Sequence, residues 1–168
     1  MRTVVARGRV VAINVSRGGV PKRAIDDAKV TVEGIVGDLH DDVENHGGPE
    51  RALCLYTLEQ ISALQREGHP IAPGTAGENI TLAEIPLGVL TPGTCLTLGN
   101  ELEIEITRYT SPCKTIARSF SDGDFTRIAQ KLHPDESRVY AKVIAGGTLR
   151  HGDVVEVFTG AARHEAHE

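Results

Sequence analysis

The chain has 168 residues, of which 40% are hydrophobic and 24% are charged, and these values suit one globular domain with one sizeable core. The formal net charge is -5, the sequence contains no dense Lys/Arg block, and aromatic residues make up only 4% of it, with no Trp. These features argue against a general nucleic-acid binder and against a membrane-surface binder. They leave room for a local basic pocket that binds a small anion.

The three cysteines, Cys54, Cys95 and Cys113, are odd in number and far apart, so the sequence shows neither a disulfide framework nor a CxxC zinc site. The start of the chain has no signal-peptide core, and no apolar run approaches ~18 residues. We therefore expect a cytoplasmic protein with free thiols. Residues 1–159 are expected to form one domain, followed by a polar, flexible tail over residues 160–168.

Short β-like segments dominate the first half of the chain. Residues 4–15 are rich in valine and predict one long strand or two broken ones, and residues 52–56 form a compact apolar run of strand length. A helix is predicted to follow, with Thr57 as its N-cap, Gln60 three residues later, and Gly68 at its end. Its apolar face consists of Leu58, Ile61 and Leu64.

A hairpin is predicted around Gly99, because apolar and polar residues alternate on both sides of it. Register favours a three-residue loop over residues 99–101, which places Leu98 opposite Leu102 and Leu96 opposite Ile104. A two-residue loop would place Leu98 opposite a glutamate and mix the apolar face with the polar face.

The second half predicts one more helix and two closing strands. The helix follows Asp124, with apolar residues at i, i+3, i+4 and i+7 and Pro134 as its stop; these residues are Phe125, Ile128, Ala129 and Leu132. The strands cover residues 139–144 and 154–158, with a glycine-rich connection between them. Many short strands, 18 glycines and few helices predict a mainly β fold, namely a closed or nearly closed β-barrel with a few short helices. A β-sandwich is the alternative that periodicity alone does not separate from it.

Cys113 is the strongest candidate for chemistry. It follows a proline, between the end of a strand and the start of a short helix, with Lys114 and Arg118 close by in the chain. A helix start and cationic neighbours favour a thiolate, which could be a soft metal ligand, a sulfur carrier or a nucleophile. Cys54, inside an apolar run, and Cys95, in a strand, are interpreted as structural. The seven histidines offer no privileged partner for a catalytic cysteine.

Residues 37–51 are dense in His, Asp and Glu, which could bind a divalent metal or could equally form a solvated loop. Within this stretch, His46 precedes two glycines that let the backbone approach a ligand closely. Arg51 then stands at the start of a buried strand, where its charge needs an anionic partner. That partner could be a bound ligand or a structural carboxylate.

Two further stretches could contact a ligand. In residues 74–81, Asn79 could line the polar edge of a ligand, although a turn with an Asx-type hydrogen bond explains the same residues. In residues 16–23, three cations flank a glycine pair, which predicts either a phosphate cradle or a basic surface turn.

Four of these motifs, in this order, resemble the MOSC domain, the module at the C-terminus of molybdenum-cofactor sulfurases that also occurs in stand-alone bacterial proteins. The likeness covers roughly residues 8–158, and the length is closer to the stand-alone form. The matching residues are Gly34-x-x-Gly37-Asp38, His46-Gly47-Gly48-Pro49-x-Arg51-Ala52, Gly77-Glu78-Asn79 and Ser111-Pro112-Cys113.

The resemblance implies a barrel-like fold that binds a molybdenum cofactor of the molybdopterin type, with Cys113 as the protein ligand to molybdenum or as a sulfur carrier. Relatives reduce N-hydroxylated compounds, so the resemblance also implies a small N-hydroxylated substrate and a separate electron-donor reductase. From charge and composition we expect no nucleic-acid partner and no membrane partner, and the sequence leaves a homodimer open. The candidates to hold the cofactor are Lys22, His46, Arg51 and Asn79.

The sequence departs from many relatives at one position of the cysteine motif. Where those relatives carry Arg directly before Pro-Cys, this chain has Ser111. A cation beside the cofactor would then come from elsewhere, and Lys114 and Arg138 are the candidates.

Three functions follow from these residues. The first is a molybdenum-dependent oxidoreductase that acts on N-hydroxylated compounds. The second is a non-enzymatic carrier of molybdenum cofactor or of sulfur that uses Cys113. The third, with a looser motif, is a metal-dependent hydrolase built on His40, Asp41 and His46.

Overall fold

A computed structural model of the chain describes residues 2–18, 20–38 and 48–159. The predicted tail at 160–168 lies outside these residues. Within them, the one α-helix is α1 (Leu58–Arg66), and short 3-10 helices cover Pro49–Arg51, Leu87–Val89, Lys114–Ser119 and Phe125–Ile128. The strands are β1 (Val4–Val15), β2 (Arg23–Ile25), β3 (Asp27–Thr31), β4 (Gly34–Ile35), β5 (Leu53–Thr57), β6 (Ile80–Ala83), β7 (Cys95–Leu98), β8 (Leu102–Tyr109), β9 (Val139–Ala145), β10 (Gly147–Arg150) and β11 (Val154–Phe158).

Seven strands close into a barrel in the order β11, β7, β8, β9, β5, β6 and β1, and β1 pairs back to β11. The pair β5–β6 is parallel, so the connection between them must cross over, and α1 is part of that connection. Strand β2 extends the sheet beyond β1, and β10, β3 and β4 form a separate three-stranded sheet. The predicted closed barrel is confirmed, and the closure rules out the sandwich.

Strand β1 is one long strand that serves three neighbours. It pairs with β11 in its first half, with β6 in its middle and with β2 at its end, and its register shifts between Val4 and Ala6 and again between Val10 and Ala12. Such bulges bend a strand and allow a sheet to close. A Cβ added to Gly8 would lie 2.1 Å from the carbonyl oxygen of Ala83, so only glycine lets β1 cross β6 this closely.

The hairpin β7–β8 has the predicted register. Leu98 pairs with Leu102 and Leu96 pairs with Ile104, across a loop in which Gly99 has a φ of 66°. The aliphatic side chains of β8 are buried and the glutamates between them are partly exposed, as alternation predicts. The three-residue loop is therefore confirmed.

Helix α1 is confirmed, and the second predicted helix is wrong. Thr57 caps α1 by accepting a hydrogen bond from the backbone N–H of Gln60 at 3.2 Å. After Asp124, only the 3-10 helix Phe125–Ile128 forms, and the backbone becomes extended at Ala129, with a ψ of 129°. Leu132 is 59% exposed, so the last apolar residue of the predicted face has no core to pack against.

The connection expected between the last two strands also contains β10, which pairs with β3. Sequence reasoning missed both strands of this pair, because each is short and one contains Gly147.

The apolar side chains form two clusters. The larger one fills the barrel, with Ile13, Leu55 and Ile104 among its fully buried members. The smaller one packs α1 against the 3-10 helices that follow β8 and contains Tyr56, Ile61, Leu64, Ile71, Ala76, Ile116, Phe120 and Ile128. Through Ile116 and Phe120, the smaller cluster anchors the segment that carries Cys113. No helix in the described part of the chain is long and apolar enough to cross a membrane.

Candidate functional site

Cys113 lies where the sequence places it, directly before the 3-10 helix Lys114–Ser119. Its backbone is extended, its side chain is partly exposed, and its Sγ lies 2.9 Å from the Oγ1 of Thr115. Ile116 and Phe120, each 3% exposed, anchor the helix in the smaller apolar cluster. The thiol is therefore partly exposed, on a segment that the smaller apolar cluster holds in place.

Arg138 is a buried cation beside this segment, at the residue before β9. Its Nη1 donates to the carbonyl oxygen of Ala76 at 2.6 Å, and only 8% of the residue is exposed. Among the described residues, its Nε has no hydrogen-bond partner and no carboxylate lies within ion-pair distance of its guanidinium. The Arg138 carbonyl accepts from the backbone N–H of Thr110 at 3.0 Å. Thr110 lies three residues before Cys113 in the chain.

Gly77 shapes the space next to Arg138. Its φ is +85°, a region that favours glycine, and an added Cβ would lie 3.1 Å from Val20 and 4.0 Å from Nη1 of Arg138. The backbone of the Gly77-Glu78-Asn79 motif therefore approaches the guanidinium closely.

Tyr140 is influenced by three of the predicted groups, Arg51, Arg138 and Cys113. The Arg51 guanidinium carbon lies 5.9 Å from the centre of its ring, and the backbone of Tyr140 pairs with that of Cys54. Partial burial raises the pKa of the Tyr140 phenol to about 12; the Cys54 and Cys113 thiols add to this shift, and Arg138 and Arg51 oppose it. The phenol is therefore neutral near pH 7 and remains a hydrogen-bond donor.

Lys22 and Asn79 meet at Asp38. The Lys22 Nζ lies 2.7 and 3.0 Å from the two carboxylate oxygens of Asp38, and Asn79 Nδ2 donates to the same carboxylate at 2.8 Å. The backbone N–H of Ser16 also donates to it at 2.9 Å, and Asn79 Oδ1 accepts from the backbone N–H of Cys54 at 2.9 Å. A buried ion pair thus joins the basic loop to strand β5.

Glu78, which stands between Gly77 and Asn79 in the chain, carries a buried carboxyl group. It is 0% exposed, and its Oε2 accepts from the hydroxyl of Thr81 at 3.1 Å. Burial raises its pKa to about 6, against the opposing effects of backbone N–H groups, the Thr81 hydroxyl and the Arg138 charge. This carboxyl group therefore titrates close to neutral pH.

The structure sorts the predicted site residues into three sets. Cys113, Arg51 and Arg138 lie around Tyr140, whereas Lys22 and Asn79 lie in the Asp38 network. Lys114 is exposed next to Cys113. His46 lies outside the described residues, as do His40 and Asp41.

Cys54 and Cys95 are buried, with 6% and 1% of each residue exposed, in agreement with the interpretation that they are structural. Sequence reasoning missed Tyr140 as a member of the site. The available signal was an aromatic residue on the polar side of an alternating strand. In the described ranges 2–18, 20–38 and 48–159, no group of three or more His, Cys, Asp or Glu residues is placed to hold a metal ion.

A separate cavity of about 370 Å³ lies between the start of α1 and residues 84–87. It is lined by Glu59, Glu84 and Asp135 among others, and none of the predicted site residues lines it. We therefore place the candidate site at Cys113 and not at this cavity.

Known proteins match most of this chain. The family model described as "MOSC domain" matches residues 42–156. Uncharacterized protein YflK of Bacillus subtilis (strain 168) is 25% identical over 143 residues, which cover 84% of this chain and 63% of YflK. The chain thus spans less than two thirds of the length of that curated relative.

Solved structures share the fold. The YuaD protein of Bacillus subtilis matches with a TM-score of 0.72 at 17% identity, over 95% of this chain and 99% of that one. YiiM of Escherichia coli matches with a TM-score of 0.69 at 24% identity, over 91% of this chain and 70% of that one.

Proposed function

The chain belongs to the MOSC domain family, and from that membership we propose that it binds a molybdopterin-type cofactor and reduces small N-hydroxylated compounds with electrons from a separate reductase. The observation that carries the proposal is Arg138, a buried guanidinium with no ion-pair partner among the described residues and with a partnerless Nε. A buried cation of this kind needs an anion, and a pterin phosphate is one.

The residues around Arg138 fit such a cofactor in two respects. The backbone at Gly77 lies beside the guanidinium, since a Cβ added there would be 4.0 Å from Nη1 of Arg138. Cys113 supplies a partly exposed sulfur, and thiolates suit soft metal centres. The backbone of Arg138 is hydrogen-bonded to that of Thr110, three residues before Cys113.

We assign these residues different roles. Cys113 is the proposed ligand to molybdenum, and Arg138 is the proposed cation for the anionic part of the cofactor, in place of the arginine missing at Ser111. Arg51 and Lys114 add positive charge near Cys113, while Lys22 and Asn79 hold the basic loop against the barrel through Asp38. His46 stays a sequence prediction.

When bound, a molybdenum cofactor supplies the redox chemistry of the reaction. The chain itself positions and binds. Ile116 and Phe120 fix the segment that carries Cys113.

The test uses the full chain purified from a host that makes the cofactor. Elemental analysis and pterin fluorescence measure loading, and reduction of an N-hydroxylated purine with a chemical electron donor measures turnover. We expect Cys113→Ser to lose molybdenum and turnover while its circular dichroism spectrum is unchanged. Cys95→Ser, at a buried thiol in β7, is the matched control and should keep both. Wild-type protein without molybdenum or pterin, or full turnover in Cys113→Ser, would contradict the proposal.

The carrier function has one observation in its favour, namely the exposure of the Cys113 thiol next to the Thr115 hydroxyl. A persulfide there would add about 32 Da, the mass of one sulfur atom, and mass spectrometry of the purified protein would detect it. The adduct together with absent molybdenum would favour the carrier over the reductase.

A further inference from the structure

The segment Ala76–Glu78 links a buried cation to a buried carboxyl group. At one end, the Ala76 carbonyl accepts from Nη1 of Arg138 at 2.6 Å. At the other end, the Glu78 side chain is 0% exposed. The Arg138 charge lowers the pKa of the Glu78 carboxyl group, so the two groups are electrostatically coupled.

Among the described residues, one of the two carboxylate oxygens of Glu78 has no hydrogen-bond donor. Asn14 Nδ2 donates to the Thr81 hydroxyl at 3.1 Å, and that hydroxyl donates to Glu78 Oε2 at 3.1 Å. Among the described residues, Asn14 Oδ1 and Glu78 Oε1 are both buried and have no donor. Because a hydroxyl has a single proton, Thr81 cannot satisfy a second acceptor. Protonation of Glu78 would neutralise a buried carboxylate that has one oxygen without a donor.

Few other ionisable groups surround this carboxyl group. Burial raises the pKa of the Cys54 thiol to about 11 and raises the pKa of the Tyr56 phenol further above its usual range, so both are neutral between pH 5 and 8. The Arg138 guanidinium stays charged at every pH in this range. Glu78 is thus the group in this cluster whose charge changes near neutral pH.

The Lys22–Asp38 ion pair is also nearby, and both of its charges influence the Cys54 thiol. With its Nζ 2.7 Å from a carboxylate oxygen, the pair carries no net charge towards Glu78.

We propose that Glu78 takes up a proton when an anion binds at Arg138, so that this site binds its anion more tightly at low pH than at high pH. The proposal deepens the proposed function, because it rests on Arg138 as the anion site. An anion beside Arg138 offsets the positive charge that favours ionised Glu78, and it repels a carboxylate directly. Binding of the proton and binding of the anion then favour each other by thermodynamic reciprocity.

Sulfate is the probe, because it keeps its double negative charge across the whole pH range and so does not titrate itself. Isothermal titration calorimetry on the full chain, in two buffers of different ionisation enthalpy, reports the dissociation constant and the protons taken up. If binding shifts the Glu78 pKa by half a unit, the dissociation constant rises about threefold from pH 5 to pH 8. Proton uptake is expected near pH 6.

Three variants identify the residues. Glu78→Gln, which stays neutral, should bind sulfate with a dissociation constant that does not depend on pH. Arg138→Gln should weaken binding at least ~10-fold at every pH, since a charged partner is lost. Glu59→Gln removes an exposed carboxylate in the first turn of α1 and should keep the wild-type pH dependence.

Sulfate binding without proton uptake, wild-type pH dependence in Glu78→Gln, or no sulfate binding at all would each overturn the inference. If Glu78→Gln does not fold, the dependence of the wild-type enthalpy on the buffer decides alone. The outcome is separate from cofactor loading. Protein that holds molybdenum but shows no coupled proton uptake contradicts only this inference, and protein that shows the coupling but never holds molybdenum contradicts only the proposed function.

Discussion

Replacing Asp38 with asparagine tests the ion pair beneath the site. Lys22 and Asp38 are buried, with 6% and 2% of their side chains exposed, and the Lys22 Nζ lies 2.7 and 3.0 Å from the two carboxylate oxygens. Removing one partner leaves the other charge buried and uncompensated, which typically costs about 3–5 kcal/mol. Lys22 and Asn79 both donate to the same carboxylate oxygen of Asp38. In the variant, an amide N–H₂ at that position faces these two donors and cannot accept from them. We expect its free energy of unfolding at pH 7 to fall by about 3–5 kcal/mol.

Urea unfolding followed by circular dichroism measures the change. Glu156→Gln is the matched control, because it removes the carboxylate of the exposed ion pair with Arg7, and such pairs contribute about 0–1 kcal/mol. The double variant Lys22→Met/Asp38→Asn removes the stranded charge and should be more stable than Asp38→Asn. A loss below about 1 kcal/mol in Asp38→Asn, no larger than in the control, would refute the reasoning.

Three further predictions concern stability. The Glu78 pKa rises from 4.5 to about 6 on folding, so its stabilising effect is present below pH 4.5 and is lost as the pH rises through about 6. Relative to Glu78→Gln, wild type should therefore lose about 2 kcal/mol between pH 4.5 and 7.5 in urea titrations, and parallel pH profiles would contradict this. Tyr56→Phe removes a 2.6 Å hydrogen bond to the Glu136 carbonyl and should cost about 1 kcal/mol by urea unfolding; an unchanged midpoint would count against it. Gly8→Ala places a Cβ against the Ala83 carbonyl, and the resulting strain of about 1–3 kcal/mol should lower the melting temperature. A variant more stable than wild type would show that β1 can move away from β6.

Local patterns were sufficient where the structure depends on neighbours in the chain. The β7–β8 register follows from alternation, because a slip of one residue would expose Leu96 and bury a glutamate. Helix α1 follows from its cap and its apolar face. The position of Cys113 follows from a proline between a strand and a short helix.

Local patterns failed where a segment depends on distant partners. The helix predicted after Asp124 had the right periodicity, but Leu132 has nothing to pack against, and Arg127 is held by Glu67 and Glu136 from elsewhere in the chain. Periodicity describes one face of a segment and says nothing about whether a core lies beside that face.

The sequence by itself determined helix α1, the β7–β8 hairpin, the family likeness and the identity of the exposed thiol, because these depend on residue order and spacing alone. Only the tertiary structure decided which cations have an anionic partner. Lys22 forms a buried ion pair with Asp38, whereas Arg138 is buried without a carboxylate partner among the described residues. It also bonded Arg138 to the carbonyl of Ala76, two residues before the buried Glu78. These bonded pairs are 16 and 62 positions apart in the chain, and barrel closure, a long-range event, sets the distances between them.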